Sequence, residues 1–180
     1  KSGLILCGMR NDSKNVVNVA KLCIEAKDKI IGFDIAGPEL NFPPSLFAKS
    51  FKDVIKSEIN VTIHAGEGDG VNSIIDALDN GAMRIGHGVR IIEDINDGII
   101  GPTASKIIDL QIPLEICITS NIHTNMYENY EAHPISDLID HGFNVYLNTD
   151  NRLMSNTTIS KEIKIAESLG ISDVERLLKY

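Results

Sequence analysis

His64-Ala-Gly-Glu67 closes one apolar run of the chain, Asn148-Thr-Asp150 closes another, and Arg84-Ile-Gly-His87-Gly closes a third. A His nitrogen and a carboxylate oxygen are both donors that catalytic zinc accepts, in sites that keep one position open for water. His64 and Asp150 are therefore candidate metal ligands, each held rigidly by the end of a strand. Glu67, one short step from His64, could exchange protons between water and a substrate in a suitable environment. His87 lies between two glycines that leave its imidazole open to a cavity, where it could hydrogen-bond a water and stabilise developing charge. Together these types point to metal-assisted hydrolysis.

Each residue also has a plainer role. A strand-end His can be a hydrogen-bonded core residue, and an Asp there can cap a helix. Glu67 could simply complement a helix dipole. It is the co-occurrence of the three motifs that favours the chemical reading. Gly37, in Asp34-Ile-Ala-Gly-Pro-Glu39, could bring a backbone N–H close to a ligand, or be an ordinary turn glycine. His123, His133 and His141 read as structural. The glycine cluster between Gly66 and Gly70 hints at a phosphate cradle but lacks the Lys and spacing of a P-loop.

The elements that must position these groups are short. Apolar, β-branched runs recur at Gly3–Cys7, Ile30–Ile35, Ile59–His64, Met83–Ile85, Ile112–Ile118 and Phe143–Leu147. They start roughly 25–30 residues apart, which suits a strand plus its crossover helix. Being apolar throughout, they suit parallel strands covered on both faces. Helical patterns fill the gaps: Ser13–Ala26, Pro43–Lys56, Gly70–Asn80, Ala104–Gln111, Pro134–His141 and Ser160–Leu169. Ser13 and the Glu67–Gly70 turn supply starting signals, and His141-Gly142 a stop. Asp34, His64, His87, Asp150 and the Thr119-Ser120-Asn121 segment all follow on strands. A (β/α)8 barrel gathers every strand end at one mouth, whereas a doubly wound sheet gathers only those at its switch point. Polar groups on five of six strands favour the barrel. A complete barrel needs eight strands and typically about 250 residues, so residues 1–180 are expected to be one partial barrel domain, two strands short.

Composition narrows the partners. The 180 residues are 43% hydrophobic and carry a net charge of −8. A nucleic-acid backbone partner is disfavoured, since such binding relies on Lys/Arg clusters. No apolar stretch approaches the roughly 20 residues of a membrane span. No signal-peptide pattern precedes the first strand, although a chain opening on Lys1 leaves upstream targeting open. Cys7, Cys23 and Cys117 have no metal-binding spacing and are expected to be buried thiols. Their odd number suits a reducing compartment, so a cytoplasmic protein with a small-molecule partner is expected.

At these motifs the chain resembles the adenosine deaminase family of the metal-dependent amidohydrolase superfamily, which are (β/α)8 barrels. The matching segments are LILCGMR (4–10), IGFDIAGPE (31–39), HAGE (64–67), RIGHGV (84–89), LEICITSNIHT (114–124) and HPISDLIDHGFNVYLNTD (133–150). The resemblance implies one Zn2+ per subunit with His64 and Asp150 as ligands, Asp150 also contacting the attacking water. His87 would orient and stabilise that water, Glu67 would protonate ring N1 of the purine, and the Gly37 N–H would hold ring N3. Adenosine, and with it 2'-deoxyadenosine, would become the inosine product plus ammonia.

Two departures bear on this reading. The His-x-His that supplies two further zinc ligands in the family has no match here; the first strand present resembles the family's third. The chain is thus expected to be a C-terminal portion, inactive alone, whose open sheet edges could self-associate or pair with the absent N-terminal part. The other departure is Asn151, where many members have Asp. Purine N7 only accepts hydrogen bonds, and an Asn amide donates at any pH. A sister deaminase acting on adenine or a modified adenosine, and a non-catalytic purine-binding domain, remain alternatives.

Overall fold

The computed structural model describes residues 3–179; Lys1, Ser2 and Tyr180, at the limits of the expected domain, lie outside the described residues. The described residues form two compact units divided between Gly86 and His87.

The first unit is a βα repeat. Strands β1 (Ile5–Met9), β2 (Gly32–Ala36), β3 (Asn60–Ala65) and β4 (Arg84–His87, whose last residue opens the second unit) lie side by side in chain order. β1 pairs β2 in parallel register, Cys7 opposite Asp34, and β2 pairs β3 in parallel with Phe33 opposite Val61. Helices α1 (Ser13–Glu25), α2 (Ala48–Lys56, led in by a 3-10 turn at Pro44–Phe47) and α3 (Val71–Asp79) connect them. On α1 the apolar Val16, Ala20 and Cys23 recur at one-turn spacing and are buried. The Phe33 and Phe51 rings meet at 5.7 Å and 56°, tying β2 to α2. Such tilted contacts satisfy the ring quadrupoles and contribute about 1 kcal/mol beyond area burial.

The second unit holds a 3-10 segment (Val89–Asp94), a hairpin of β5 (Ile95–Asn96) and β6 (Ile99–Ile100), then α4 (Pro102–Asp109), β7 (Leu114–Ile116) and α5 (Ile118–His123). It continues with α6 (Ile135–Asp140), β8 (Val145–Leu147), α7 (Ile159–Ser168) and a 3-10 turn at Val174–Leu178. β7 and β8 are parallel, Leu114 opposite Val145 and Ile116 opposite Leu147. All four of these side chains are buried, with Ile107, Leu138 and Ala166 from α4, α6 and α7. The parallel strands with intervening helices are the expected α/β arrangement.

Local details differ from expectation. The strand expected through Ile118 stops at Ile116, because the chain turns at Cys117 into α5. Asp12, rather than Ser13, caps α1, accepting from Lys14 N at 3.0 Å and Asn15 N at 3.1 Å. Cys23 and Cys117 are buried, but Cys7 is exposed. Cys7 lies on β1, which the described residues pair on one side only, and Leu4 and Met9 beside it are exposed as well. Among the described residues no helix is long and apolar enough to cross a membrane.

Candidate active site

In the first unit, Asp34 and His64 lie on β2 and β3. Side chains alternate along a strand, so Phe33, Ile35, Val61 and Ile63 pack into the core while Asp34 and His64 share the opposite face. His64 Nδ1 is 2.9 Å from Asp34 Oδ2 and 3.1 Å from Oδ1. A carboxylate oxygen accepts, so this contact places the proton on Nδ1 and leaves Nε2 as the ring nitrogen that carries the lone pair. Gly86 on β4 makes room for the ring: a Cβ there would stand 2.8 Å from His64 Nδ1 and 3.2 Å from His64 Cα. Beneath the strand ends lies Arg10, fully buried. Its Nη2 donates to the His64 carbonyl, and its contacts to the Ile35 and Phe42 carbonyls are 3.5 Å each. Burial pulls the Arg10 pKa down, and the nearby carboxylates of Glu39 and Asp34 oppose that pull.

Glu67 sits half-buried in the loop between β3 and α3, as expected. Its backbone is held by a neighbour. The buried carboxylate of Glu39 accepts from the N–H groups of Gly66 and Glu67 at 2.9 Å each, Gly68 at 3.1 Å and Asp69 at 3.3 Å. Ser73 Oγ adds a fifth bond at 2.9 Å. The glycine-rich turn is thus an anion nest, and its anion is the chain's own carboxylate. Gly37 follows β2 at φ 99°, in a conformation that leaves its neighbourhood to Met9, Arg10 and Asn11. Its φ lies in the region glycine adopts without strain.

In the second unit, His87 and Asp150 are both non-glycine residues in the left-handed region, at φ 62° and 52°. Such backbones are uncommon and cluster where a side chain must be aimed. His87 is buried; its Nδ1 lies 3.1 Å from Asn121 Nδ2, and Asn121 Oδ1 lies 3.1 Å from His133 Nε2. Asp150 follows β8, and its Oδ2 accepts from Ser120 Oγ at 2.6 Å. Asn151 is exposed, its Oδ1 accepting from Leu153 N and Met154 N at 3.1 Å each. That turn uses the carbonyl end of the amide. Below α5, the fully buried Glu162 accepts from Thr119 N at 3.2 Å and Thr157 Oγ1 at 2.6 Å, and also from Thr119 Oγ1. It fixes the segment carrying Ser120 and Asn121.

Within its own unit, then, each candidate has specific partners: His64 with Asp34, Glu67 with Glu39, His87 with Asn121, Asp150 with Ser120. The partners went unassigned in the sequence. Glu39 and Arg10 end quoted motifs, which was the signal available for them. Asn121 lay inside a quoted motif and among the polar strand ends, and His133 opened another motif but read as structural.

The fold is an α/β arrangement of parallel strands and crossover helices, with polar groups at the strand ends. A profile of the adenosine deaminase family matches residues 1–177, and the chain belongs to that family. It is similar to the adenosine deaminase of Mycobacterium ulcerans, 40% identical over 98% of the chain and 51% of that protein. Adenosine deaminase 1 of Streptomyces coelicolor is 42% identical, over 93% of the chain and 44% of the relative. The chain therefore spans about half the length of the curated relatives it matches. Among solved structures, the adenine deaminase of Arthrobacter aurescens shares the fold at TM-score 0.88 and 24% identity, over 97% of the chain and 53% of that structure. The N6-methyl-AMP deaminase of Arabidopsis thaliana matches at TM-score 0.81 and 28% identity, over 97% and 50%. A Burkholderia ambifaria amidohydrolase with bound Zn matches at TM-score 0.86 and 21% identity, over 98% and 50%.

Proposed function

We propose that this chain is the C-terminal portion of a single barrel domain, in a zinc-dependent enzyme that hydrolyses adenosine and 2'-deoxyadenosine at C6. Water replaces the amino group, giving the inosine product and ammonia. The observation that carries this reading is the Asp34–His64 pair, at 2.9 Å. A carboxylate on the far nitrogen of an imidazole orients it and raises its basicity as a ligand, the usual support for a metal-bound His. The donor set, His64 nitrogen and Asp150 oxygen, suits zinc. Two further ligands are expected from outside these residues, so the 180-residue chain alone is expected to be inactive. When bound, the zinc supplies Lewis acidity that makes water a nucleophile at neutral pH.

The chain's own groups do the rest. Glu67 donates a proton to ring N1, which draws electron density from C6. Gly37 N–H holds N3, and the Asn151 NH2 donates to N7, which can only accept. Asp150, steadied by Ser120, contacts the attacking water, and His87 donates to the oxygen as charge builds on it.

The test is ammonia release by the protein extended to its relatives' length and loaded with zinc, offered adenosine, 2'-deoxyadenosine, adenine and N6-methyl-AMP in parallel. Adenosine and its deoxy form are expected to turn over fastest. Preference for adenine or the methylated nucleotide would replace this reading with a sister deaminase. Purine binding without ammonia would replace it with a binding domain. Full turnover by residues 1–180 alone would overturn the two-ligand assignment.

A further inference from the structure

We propose that Asn121 and His133 form a directed hydrogen-bond relay holding His87 in the tautomer with its proton on Nε2, which makes both of them positioning residues. The proposal rests on the reading of His87 as a group that donates to the attacking oxygen.

The direction of the relay is set at its far end. The backbone N–H of Ile135, which can only donate, is 3.2 Å from His133 Nδ1. His133 Nδ1 must therefore accept. Burial, with His87 nearby, pushes the His133 pKa down to about 4, so the ring is neutral at ordinary pH. A neutral imidazole that accepts at Nδ1 carries its proton on Nε2. His133 Nε2 accordingly donates to the Asn121 oxygen 3.1 Å away.

That bond orients the Asn121 amide, whose two ends cannot otherwise be told apart by shape. With its oxygen turned to His133, its NH2 is the end 3.1 Å from His87 Nδ1. An amide NH2 donates and never accepts. His87 Nδ1 must in turn accept, which leaves the proton of a neutral His87 on Nε2. The partners span the sequence from His87 to Ile135, yet His87, Asn121 and His133 are 2%, 0% and 4% exposed. Bulk water has little access to reverse such bonds. The Tyr127 ring closes the far side, edge-on to His133 at 5.1 Å and 60°.

The consequence is chemical. An Nε2–H can donate to an oxygen gaining negative charge, but it cannot take that oxygen's proton while it keeps its own. The relay therefore commits His87 to donation, and excludes it as a base at Nε2.

Long-range 1H–15N NMR of the 15N-labelled chain reads the tautomer directly, without any metal or turnover. His87 is expected to show a protonated Nε2 and an unprotonated Nδ1. A protonated Nδ1 in the unsubstituted chain overturns the proposal, whatever the variants do. In Asn121→Leu the two His87 tautomers are expected to mix; an unchanged His87 spectrum in that variant also overturns it. His133→Phe keeps the ring volume but removes the donor and should loosen the tautomer similarly, whereas His133→Gln, which retains an N–H donor, should restore it. In the zinc-loaded, full-length protein, Asn121→Leu is expected to lower kcat by about 10²-fold with KM nearly unchanged, the scale for a lost transition-state donor or a misplaced tautomer. A fall that only tracks the folded fraction marks a structural role and overturns the relay. Absence of deamination by the unsubstituted protein would instead sink the proposed function, while the NMR result still decides the relay.

Discussion

Gly86 lies against the ring of His64 so closely that a single added carbon would stand 2.8 Å from Nδ1, the nitrogen that faces Asp34. No side chain fits there while the Asp34–His64 pair is kept. The glycine is required for space, and the space belongs to the imidazole.

Gly86→Ala should therefore push His64 off Asp34. In the full-length protein, zinc affinity measured by competition with a chelating dye is expected to fall about 10–100-fold, the usual cost of losing an outer-shell partner. Overpacking should also reduce stability by about 1–3 kcal/mol. Unchanged zinc affinity would show that the pair does not orient a ligand.

Glu39 offers a test in the chain as it stands. Replacing it with Ala leaves a row of loop N–H groups and Ser73 without their acceptor. Unsatisfied buried donors are expensive, and the bonds lost were to a charged group. A stability loss of about 3 kcal/mol or more is expected from urea unfolding. Glu39→Gln should fall between, since one end of its amide points a donor at donors. A midpoint unmoved by Glu39→Ala would mean the loop closes on water equally well.

His133 predicts how stability depends on pH. Its folded pKa, depressed by burial to about 4 from 6.5, means the unfolded chain binds the extra proton between those values. Stability rises with pH wherever the unfolded state binds more protons. The contribution of neutral His133 is thus fully present above about pH 6.5, and falls away as pH drops toward about 4. The size is about 3 kcal/mol by linkage. His133→Phe should flatten that part of the stability profile in urea unfolding at several pH values. An equally steep profile in the variant would assign the acid sensitivity to other groups.

Much of this was legible in the chain because it is local. Apolar runs ending in His64, His87 and Asp150 announce strands and their polar ends, and the repeat length announces crossover helices. What escaped was pairing across distance. Asp34 read as one more polar strand end, though its meaning lies in His64 on the next strand. Glu162 looks like an ordinary first-turn acid of α7, yet it is fully buried and accepts from Thr119, far back along the chain. The hairpin around Asp97-Gly98 has a two-residue turn signal, but its two-residue strands are too short for periodicity to register. Cys7 failed differently: an apolar run says strand, but does not say how far each of its side chains is covered.

The glycine-rich turn after His64 has the backbone donors with which many proteins grip phosphate, and Glu39 already fills them. A 5'-phosphate arriving at this turn would meet an anion where it needs cations and N–H groups. Those four N–H groups are thus already committed within the chain.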